Sequence, residues 1–134
     1  MKNKILYLLT VLVQIAFFAI FLLKEELDVI QLLMLIFLPM ILSVILLVCA
    51  NLPKKKPYFT FILFALPNLL FSIAVTILIQ PRIDGILERS MKYQSTHLEI
   101  TASNSTFGSL FLILIGSFIL HYVSGQLKFR LSRN

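Results

Sequence analysis

The run VIQLLMLIFLPMILSVILLVCA, from Val29 to Ala50, decides the fold class because it contains no Asp, Glu, Lys or Arg. In a helix, about 20 apolar residues cross a hydrocarbon core of about 30 Å. A run of this length and composition therefore predicts a helix that crosses a membrane.

Three further runs of the same kind surround it. The four predicted spans are residues 5–23, 29–50, 58–80 and 107–123. Over the 134 residues, 59% are hydrophobic and only 13% are charged, and the mean hydropathy is +0.96. Soluble domains carry about 25% charged residues. The chain is therefore predicted to be an all-α membrane protein, with residues 1–134 forming a single transmembrane domain of four helices.

The first span begins after a basic start, as a signal peptide does. Its apolar stretch is longer than the roughly 7–15 residues of a signal peptide, and no small-residue cleavage site follows it. We expect it to remain as an uncleaved helix.

The basic residues divide unequally between the two sets of connecting segments. One set holds eight of them: Lys2, Lys4, Lys54, Lys55, Lys56, Lys128, Arg130 and Arg133. The other set holds four, Lys24, Arg82, Arg89 and Lys92, together with all six acids. Short cytoplasmic segments carry the excess of Lys and Arg. This predicts a multi-pass plasma-membrane protein with both termini in the cytoplasm and the long loop, residues 81–106, outside.

The basic inner segments are predicted to bind anionic lipid headgroups of the bilayer. Near an anionic leaflet, each Lys or Arg contributes about 1 kcal/mol of attraction to lipid headgroups. The predicted inner contacts are Lys54, Lys55, Lys56, Lys128, Arg130 and Arg133. No nucleic-acid partner is expected, because these segments are short and no nucleic-acid-binding fold surrounds them.

The outer loop contains an amphipathic pattern. Ile83, Ile86, Leu87 and Met91 follow one helical face, with charged residues on the other. This predicts a short interfacial helix from Pro81 to about residue 93, lying on the outer membrane surface and followed by an extended strap. The candidate partner surface consists of Glu88, Arg89, Lys92 and His97.

Mildly polar residues recur inside the spans. Asn68, Ser72, Thr76 and Gln80 are four residues apart and share one stripe of the third helix, and Gly116 and Ser117 lie in the fourth span. The main interpretation is helix packing, in which a hydrogen bond between helices contributes about 0.6–2 kcal/mol. A hydrophilic substrate path is the alternative. Two mid-span prolines are either static kinks or hinges.

No pattern for catalysis or metal binding appears. The spans hold no charged residue, which argues against the small multidrug exporters that depend on a membrane carboxylate. His97 and Cys49 are predicted to lie on opposite sides of the bilayer, and His121 is interpreted as a hydrogen-bonded packing residue. We therefore expect no enzyme activity, no cofactor and no metal site.

Three blocks of sequence together resemble a known family. They are IFLPMILSVIL, with Pro39 and Ser43 in the second span, then NLPKKKPYFTFIL after it, and LEITASNSTFG before the last span. They resemble the Msa family of small Gram-positive membrane proteins, named as modulators of the Sar virulence regulator. The resemblance implies a bacterial plasma-membrane protein with a regulatory role in virulence or biofilm gene expression. It supplies no catalytic residues.

These observations lead to one main hypothesis and two alternatives. The main one is a non-enzymatic regulatory or signal-relay protein that acts through a membrane-protein partner or as a homo-oligomer. The first alternative is an immunity or transporter-accessory subunit that binds another membrane protein through the polar stripe of the third span. The second is a small carrier or pore.

Overall fold

A computed structural model describes residues 1–95, 99 and 106–132 of the chain. Of this part, 86% is helical, and it contains no strand. Four of its helices are long and apolar enough to cross a membrane, as the sequence predicts. The all-α class and the number of candidate spans are therefore confirmed.

The four long helices are α1, Lys2–Leu23; α2, Val29–Cys49; α3, Pro57–Ile79; and α5, Thr106–Leu131. A short helix, α4, covers Ile83–Ser90 between two 3-10 turns, Gln80–Arg82 and Met91–Tyr93. A short helix therefore lies within the bounds predicted for the interfacial helix, Pro81 to about residue 93. The predicted strap beyond it lies outside the described residues.

Local signals fix several helix ends. Asp28 Oδ1 accepts the backbone N–H of Gln31 at 2.9 Å and caps α2. Pro57 is the first residue of α3, where its missing N–H costs nothing. The last helix continues to Leu131, well past the predicted end of its span at Val123. Hydropathy detects the end of an apolar run, whereas a helix continues into basic residues that complement its C-terminal dipole.

The helices pack around a central pair. α2 and α3 contact each other, and each also contacts α1 and α5. Therefore α1 and α5 lie on opposite sides of the α2–α3 pair. We call the end with Lys24–Asp28 and Gln80–Ser95 the cap end, and the end with Asn51–Lys56 the basic end.

Two apolar clusters fill the bundle. The cap-end cluster contains Phe21, Leu27, Leu35, Phe71, Val75, Ile79 and Ile86. The basic-end cluster contains Leu47, Ala50, Phe61 and Phe64. Between them lie buried polar side chains from all four long helices, whereas large apolar side chains cover the outside. Polar groups inside and apolar groups outside is the arrangement that lipid favours.

Candidate functional site

The short helix α4 is docked on the bundle. Ile86 is buried in the cap-end cluster, and Leu87 is half-buried, while Met91 remains exposed. Much of the apolar face that was predicted to rest on lipid therefore contacts protein. Ile86 thus belongs to the same apolar cluster as Leu35 of α2 and Val75 of α3, and α4 contacts α2.

Two arginines hold α4 against the linker between α1 and α2. Arg82 donates to the carbonyls of Phe21 at 3.0 Å and Glu25 at 3.2 Å, and also to that of Lys24. Its guanidinium lies 5.0 Å from the centre of the Phe21 ring. Arg89 Nε donates to the Leu27 carbonyl at 2.7 Å. Arg82 thus satisfies free carbonyls at the C-terminal end of α1, where the helix dipole also favours a cation.

Asp28 is the centre of this contact. Its Oδ2 lies 2.9 Å from Lys92 Nζ and accepts the Tyr93 hydroxyl at 3.1 Å, while Oδ1 caps α2. The Gln31 N–H, followed by the Lys92 ammonium and the Tyr93 hydroxyl, lowers the pKa of Asp28 to about 2. The same carboxylate raises the pKa of Lys92 above its ordinary value. Asp28 is therefore ionised at physiological pH.

Ser90 completes the contact from the last turn of α4. Its Oγ accepts the Val29 N–H at 2.7 Å and donates to the Ile86 carbonyl at 2.5 Å. We call the set formed by Asp28, Arg82, Arg89, Ser90, Lys92 and Tyr93 the clasp. It joins the end of α1, the start of α2 and α4 into one unit.

Some residues of the predicted partner surface are engaged in the clasp, and others are exposed. Glu88 is exposed, whereas Arg89 and Lys92 are already engaged by the linker, although the Lys92 side chain stays 58% exposed. His97 lies outside the described residues. Of the predicted set, Glu88 and the outer side of Lys92 are thus open to a partner.

A second polar site lies in the middle of the bundle. Gln14 Nε2 donates to the Pro39 carbonyl at 3.0 Å, and Gln14 Oε1 accepts from Asn68 Nδ2 at 3.4 Å. Asn68 Oδ1 accepts the Ser117 hydroxyl at 2.6 Å. These bonds connect all four long helices. We call the set formed by Gln14, Ser43, Asn68, Ser117 and His121 the polar core.

His121 and Ser43 extend the polar core towards the basic end. His121 Nε2 is 2.8 Å from Ser43 Oγ, and His121 Nδ1 is 2.8 Å from the Ser117 carbonyl. Ser43 Oγ also lies 3.0 Å from the Phe64 carbonyl. His121 is 1% exposed, so it is both buried and hydrogen-bonded. Within the described residues, no buried side-chain nitrogen or oxygen lacks a partner.

Most of the polar stripe of the third span lies inside the bundle. Asn68, Ser72 and Thr76 are buried inside the bundle, so they are not available to another protein. Ser72, Thr76 and Gln80 each donate to the carbonyl four residues before them. Asn68 differs from these three, because its side-chain amide bonds to Gln14 of α1 and Ser117 of α5.

The small residues of α5 differ in how closely they contact the rest of the bundle. A Cβ built on Gly116 would meet no described residue within 4 Å. Ser117 is fully buried and donates its hydroxyl to Asn68 Oδ1. The close approach is at Gly125, where a Cβ would lie 2.4 Å from the Phe61 ring.

The basic end is held by two contacts between helix ends. Asn3 and the backbone of Asn51 exchange two hydrogen bonds, of 2.7 and 2.8 Å. Lys128 donates to the carbonyls of Val48 and Ala50 at the end of α2. Of the predicted inner basic contacts, Lys128 is therefore engaged within the chain.

The other basic residues of this end face outwards. Lys54, Lys55, Lys56 and Arg130 are exposed, and Arg133 lies outside the described residues. Lys56 adopts the left-handed conformation, with φ of 53°, immediately before α3. The exposed lysines are thus presented on a tight turn.

Several residues of both sites are not among the residues predicted from the sequence. Asp28 carries a recognisable signal, since an Asp immediately before an apolar run is a typical N-cap. Ser90 and Tyr93 carry none, because their partners lie more than 60 positions earlier in the chain. Gly125 lies past the predicted span.

In the part of the chain that the structure describes, no group of three His, Cys, Asp or Glu side chains is arranged to hold a metal ion. Neither a protein-family model, nor a curated protein, nor a solved structure matches this chain.

Proposed function

We propose that the protein is a non-enzymatic, multi-pass plasma-membrane protein that relays a signal from outside the cell to protein partners. In this proposal the cap end is outside, α4 lies at the membrane surface, and both termini are cytoplasmic. The excess of basic residues on the other side supports this orientation. The resemblance to the Msa family suggests gene expression as the regulated process.

One observation carries the proposal: the Asp28 carboxylate binds Lys92 and Tyr93 at the cap while capping the first turn of α2. A ligand that binds α4 and displaces Lys92 therefore removes a contact from the end of a spanning helix. Ile86 transmits the same displacement to α3 through the cap-end cluster. The exposed Glu88 and Lys92 supply the receiving surface, and the exposed lysines Lys54, Lys55 and Lys56 supply the cytoplasmic contact.

A transcript comparison tests the relay. Strains carrying the wild-type protein, Asp28→Asn or no protein are compared at equal membrane levels of the two proteins. Glu25→Gln is the matched control, because Glu25 is an exposed acid in the same linker. We expect Asp28→Asn to reproduce the transcript changes of the deletion strain and Glu25→Gln to match the wild type. An unchanged deletion strain would rule out the relay, and a wild-type profile for Asp28→Asn would remove the clasp from its mechanism.

A second candidate, an accessory subunit of another membrane protein, is favoured by a groove between α1 and α3. The groove has a volume of about 390 Å³. Its lining is Tyr7, Val11, Gln14, Ile15, Phe18, Leu66, Pro67, Leu70, Phe71 and Ala74. Its apolar walls suit the side chains of a partner helix, which packs in a membrane by shape.

Co-purification in mild detergent tests this candidate. We expect a stoichiometric membrane-protein partner that is lost with Leu70→Trp, which fills the groove. The control is Ile119→Trp, since Ile119 is similarly exposed on α5, outside the groove. Absence of a stoichiometric partner, or equal loss with both variants, would count against an accessory role.

A further inference from the structure

Three contacts around His121 and Ser43 share only two hydrogens when the imidazole ring is neutral. Its two ring nitrogens lie 2.8 Å from the Ser117 carbonyl and 2.8 Å from Ser43 Oγ. A carbonyl only accepts, so Nδ1 must carry a hydrogen for the first contact to be a bond. A neutral imidazole then has a bare lone pair on Nε2.

The Ser43 hydroxyl can therefore donate to only one of two acceptors at a time. Its hydroxyl has one hydrogen, and its oxygen lies 2.8 Å from His121 Nε2 and 3.0 Å from the Phe64 carbonyl. If the hydrogen points to Nε2, the Phe64 carbonyl receives none from Ser43. If it points to Phe64, two lone pairs face each other at 2.8 Å. Only a second ring hydrogen makes all three contacts hydrogen bonds at once.

We propose that His121 is a proton-binding site and that the Ser43 hydroxyl is its switch. A proton from water bonds to the Nε2 lone pair, and Nε2–H then donates to Ser43 Oγ. The hydroxyl hydrogen of Ser43 turns from Nε2 to the Phe64 carbonyl. Release of the proton to water reverses both changes, so one positive charge is gained or lost and no other covalent bond changes.

No carboxylate on the spanning helices shares this proton. The titratable groups on the four long helices are Lys2, Lys4, Tyr7, Cys49, Tyr58, Tyr122, Lys128 and Arg130, in addition to His121. Cys49, Tyr58 and Tyr122 are exposed, Tyr7 packs edge-on against the Phe64 ring, and Lys128 binds the end of α2. The charge on the ring is thus met by the Ser117 carbonyl and Ser43 Oγ alone.

The switch lies where it can change helix geometry. Phe64 precedes Pro67 by one turn in α3, and Ser43 follows Pro39 by one turn in α2. Neighbouring side chains stabilise the loosened backbone beside a membrane proline. Proton binding therefore changes a bond between α2 and the weakened turn of α3. This site goes beyond the proposed relay and does not depend on it.

Histidine NMR on the full chain in lipid nanodiscs tests the proton site. The chain has two histidines, and His97→Gln leaves His121 as the only one. With ¹⁵N-labelled histidine, we expect the Nδ1–H tautomer at high pH and a single conversion to imidazolium on acidification, with helical content unchanged. An Nε2–H tautomer at high pH, or imidazolium only after loss of helix, would overturn the proposal.

The Ser43 switch is read at the Phe64 carbonyl. Labelling Phe with ¹³C at the carbonyl and Ala with ¹⁵N marks only two peptide bonds, Phe64–Ala65 and Phe18–Ala19. We expect the Phe64 carbonyl shift to change with the same midpoint as His121, while the Phe18 carbonyl stays constant. A constant Phe64 signal, or parallel changes in both, would refute the switch.

Two serine variants separate the switch from general effects. Ser43→Ala should abolish the pH response of the Phe64 carbonyl, whereas Ser72→Ala should keep it, because the Ser72 hydroxyl binds within its own helix. A response retained in folded Ser43→Ala would overturn the role of this hydroxyl. If Ser43→Ala does not fold, the two carbonyl signals of the otherwise wild-type chain decide the question.

Discussion

At Gly125, α5 leaves no room for a side chain beside Phe61 of α3. A Cβ there would lie 2.4 Å from the Phe61 ring, and the ring is 1% exposed and part of the basic-end cluster. We expect Gly125→Ala to lower the free energy of unfolding by about 1–3 kcal/mol, because the ring or the helix must move. Unfolding in mixed micelles of SDS and mild detergent measures the change.

Gly116→Ala is the matched control for this substitution. Its added methyl group meets nothing within 4 Å, so it should leave stability unchanged or raise it by up to about 1 kcal/mol through helix propensity. Equal losses in both variants would contradict the proposed close contact.

Asn68 is the residue that joins the helices of the polar core. Asn68→Ala leaves Gln14 Oε1 without its donor and the Ser117 hydroxyl without its acceptor. Stability should fall by about 1–3 kcal/mol, the cost of unsatisfied buried groups. Ser72→Ala should cost only about 0.5 kcal/mol, since it removes a bond within one helix. A larger loss for Ser72→Ala in the same unfolding assay would contradict this ranking.

For single residues, the sequence predicts on which helix face a side chain lies better than it predicts which residue that side chain binds. Asn68 was identifiable because the period of four places it on a polar stripe inside an apolar helix. Its bonds to Gln14 and Ser117 depend on how three helices pack, which no local pattern records. The contact at Gly125 is not predictable in this way, because composition places this residue in the segment after the last span.

Among the elements, α4 and its clasp depend most directly on pH. The folded-state pKa of Asp28 is about 2, below its ordinary value of 3.8. A lowered pKa means that the contribution of Asp28 is fully present above about pH 4 and is lost as the pH falls through about 2. We expect the amides of α4 to lose protection from hydrogen exchange across that window, after correction for intrinsic rates.

Asp28→Asn should remove this dependence. The amide cannot pair with Lys92 as an anion, so α4 should already be less protected at pH 7 and should change little down to pH 2. Glu88→Gln, at an exposed site on α4 itself, should behave as the wild type does. A wild-type protection profile in Asp28→Asn would show that the clasp does not hold α4.

The bounds of α4 followed from its apolar spacing, whereas its docking did not. Periodicity shows that one face is apolar, and both lipid and protein can cover such a face. The arginines determine the outcome here, because they bind carbonyls of Phe21 and Leu27 that lie about 60 positions earlier in the chain.

At the scale of the whole molecule, hydropathy was sufficient for the number and order of the long helices. Length and the absence of charge constrain each span independently of the others. The placement of α1 and α5 on opposite sides of the α2–α3 pair was not predictable, because each helix is apolar on nearly all sides. Buried polar residues such as Gln14 and Ser43 select the contacts that are made.

The functional proposals that concern the cap depend on its lying outside the cell with the lysine turn in the cytoplasm. Single cysteines at exposed positions test this, in a Cys49→Ser background that removes the chain's one native cysteine. Intact cells carrying Glu88→Cys or Lys55→Cys are treated with a membrane-impermeant maleimide. We predict labelling of Glu88→Cys in intact cells and of Lys55→Cys only after permeabilisation; the reverse pattern would contradict the account.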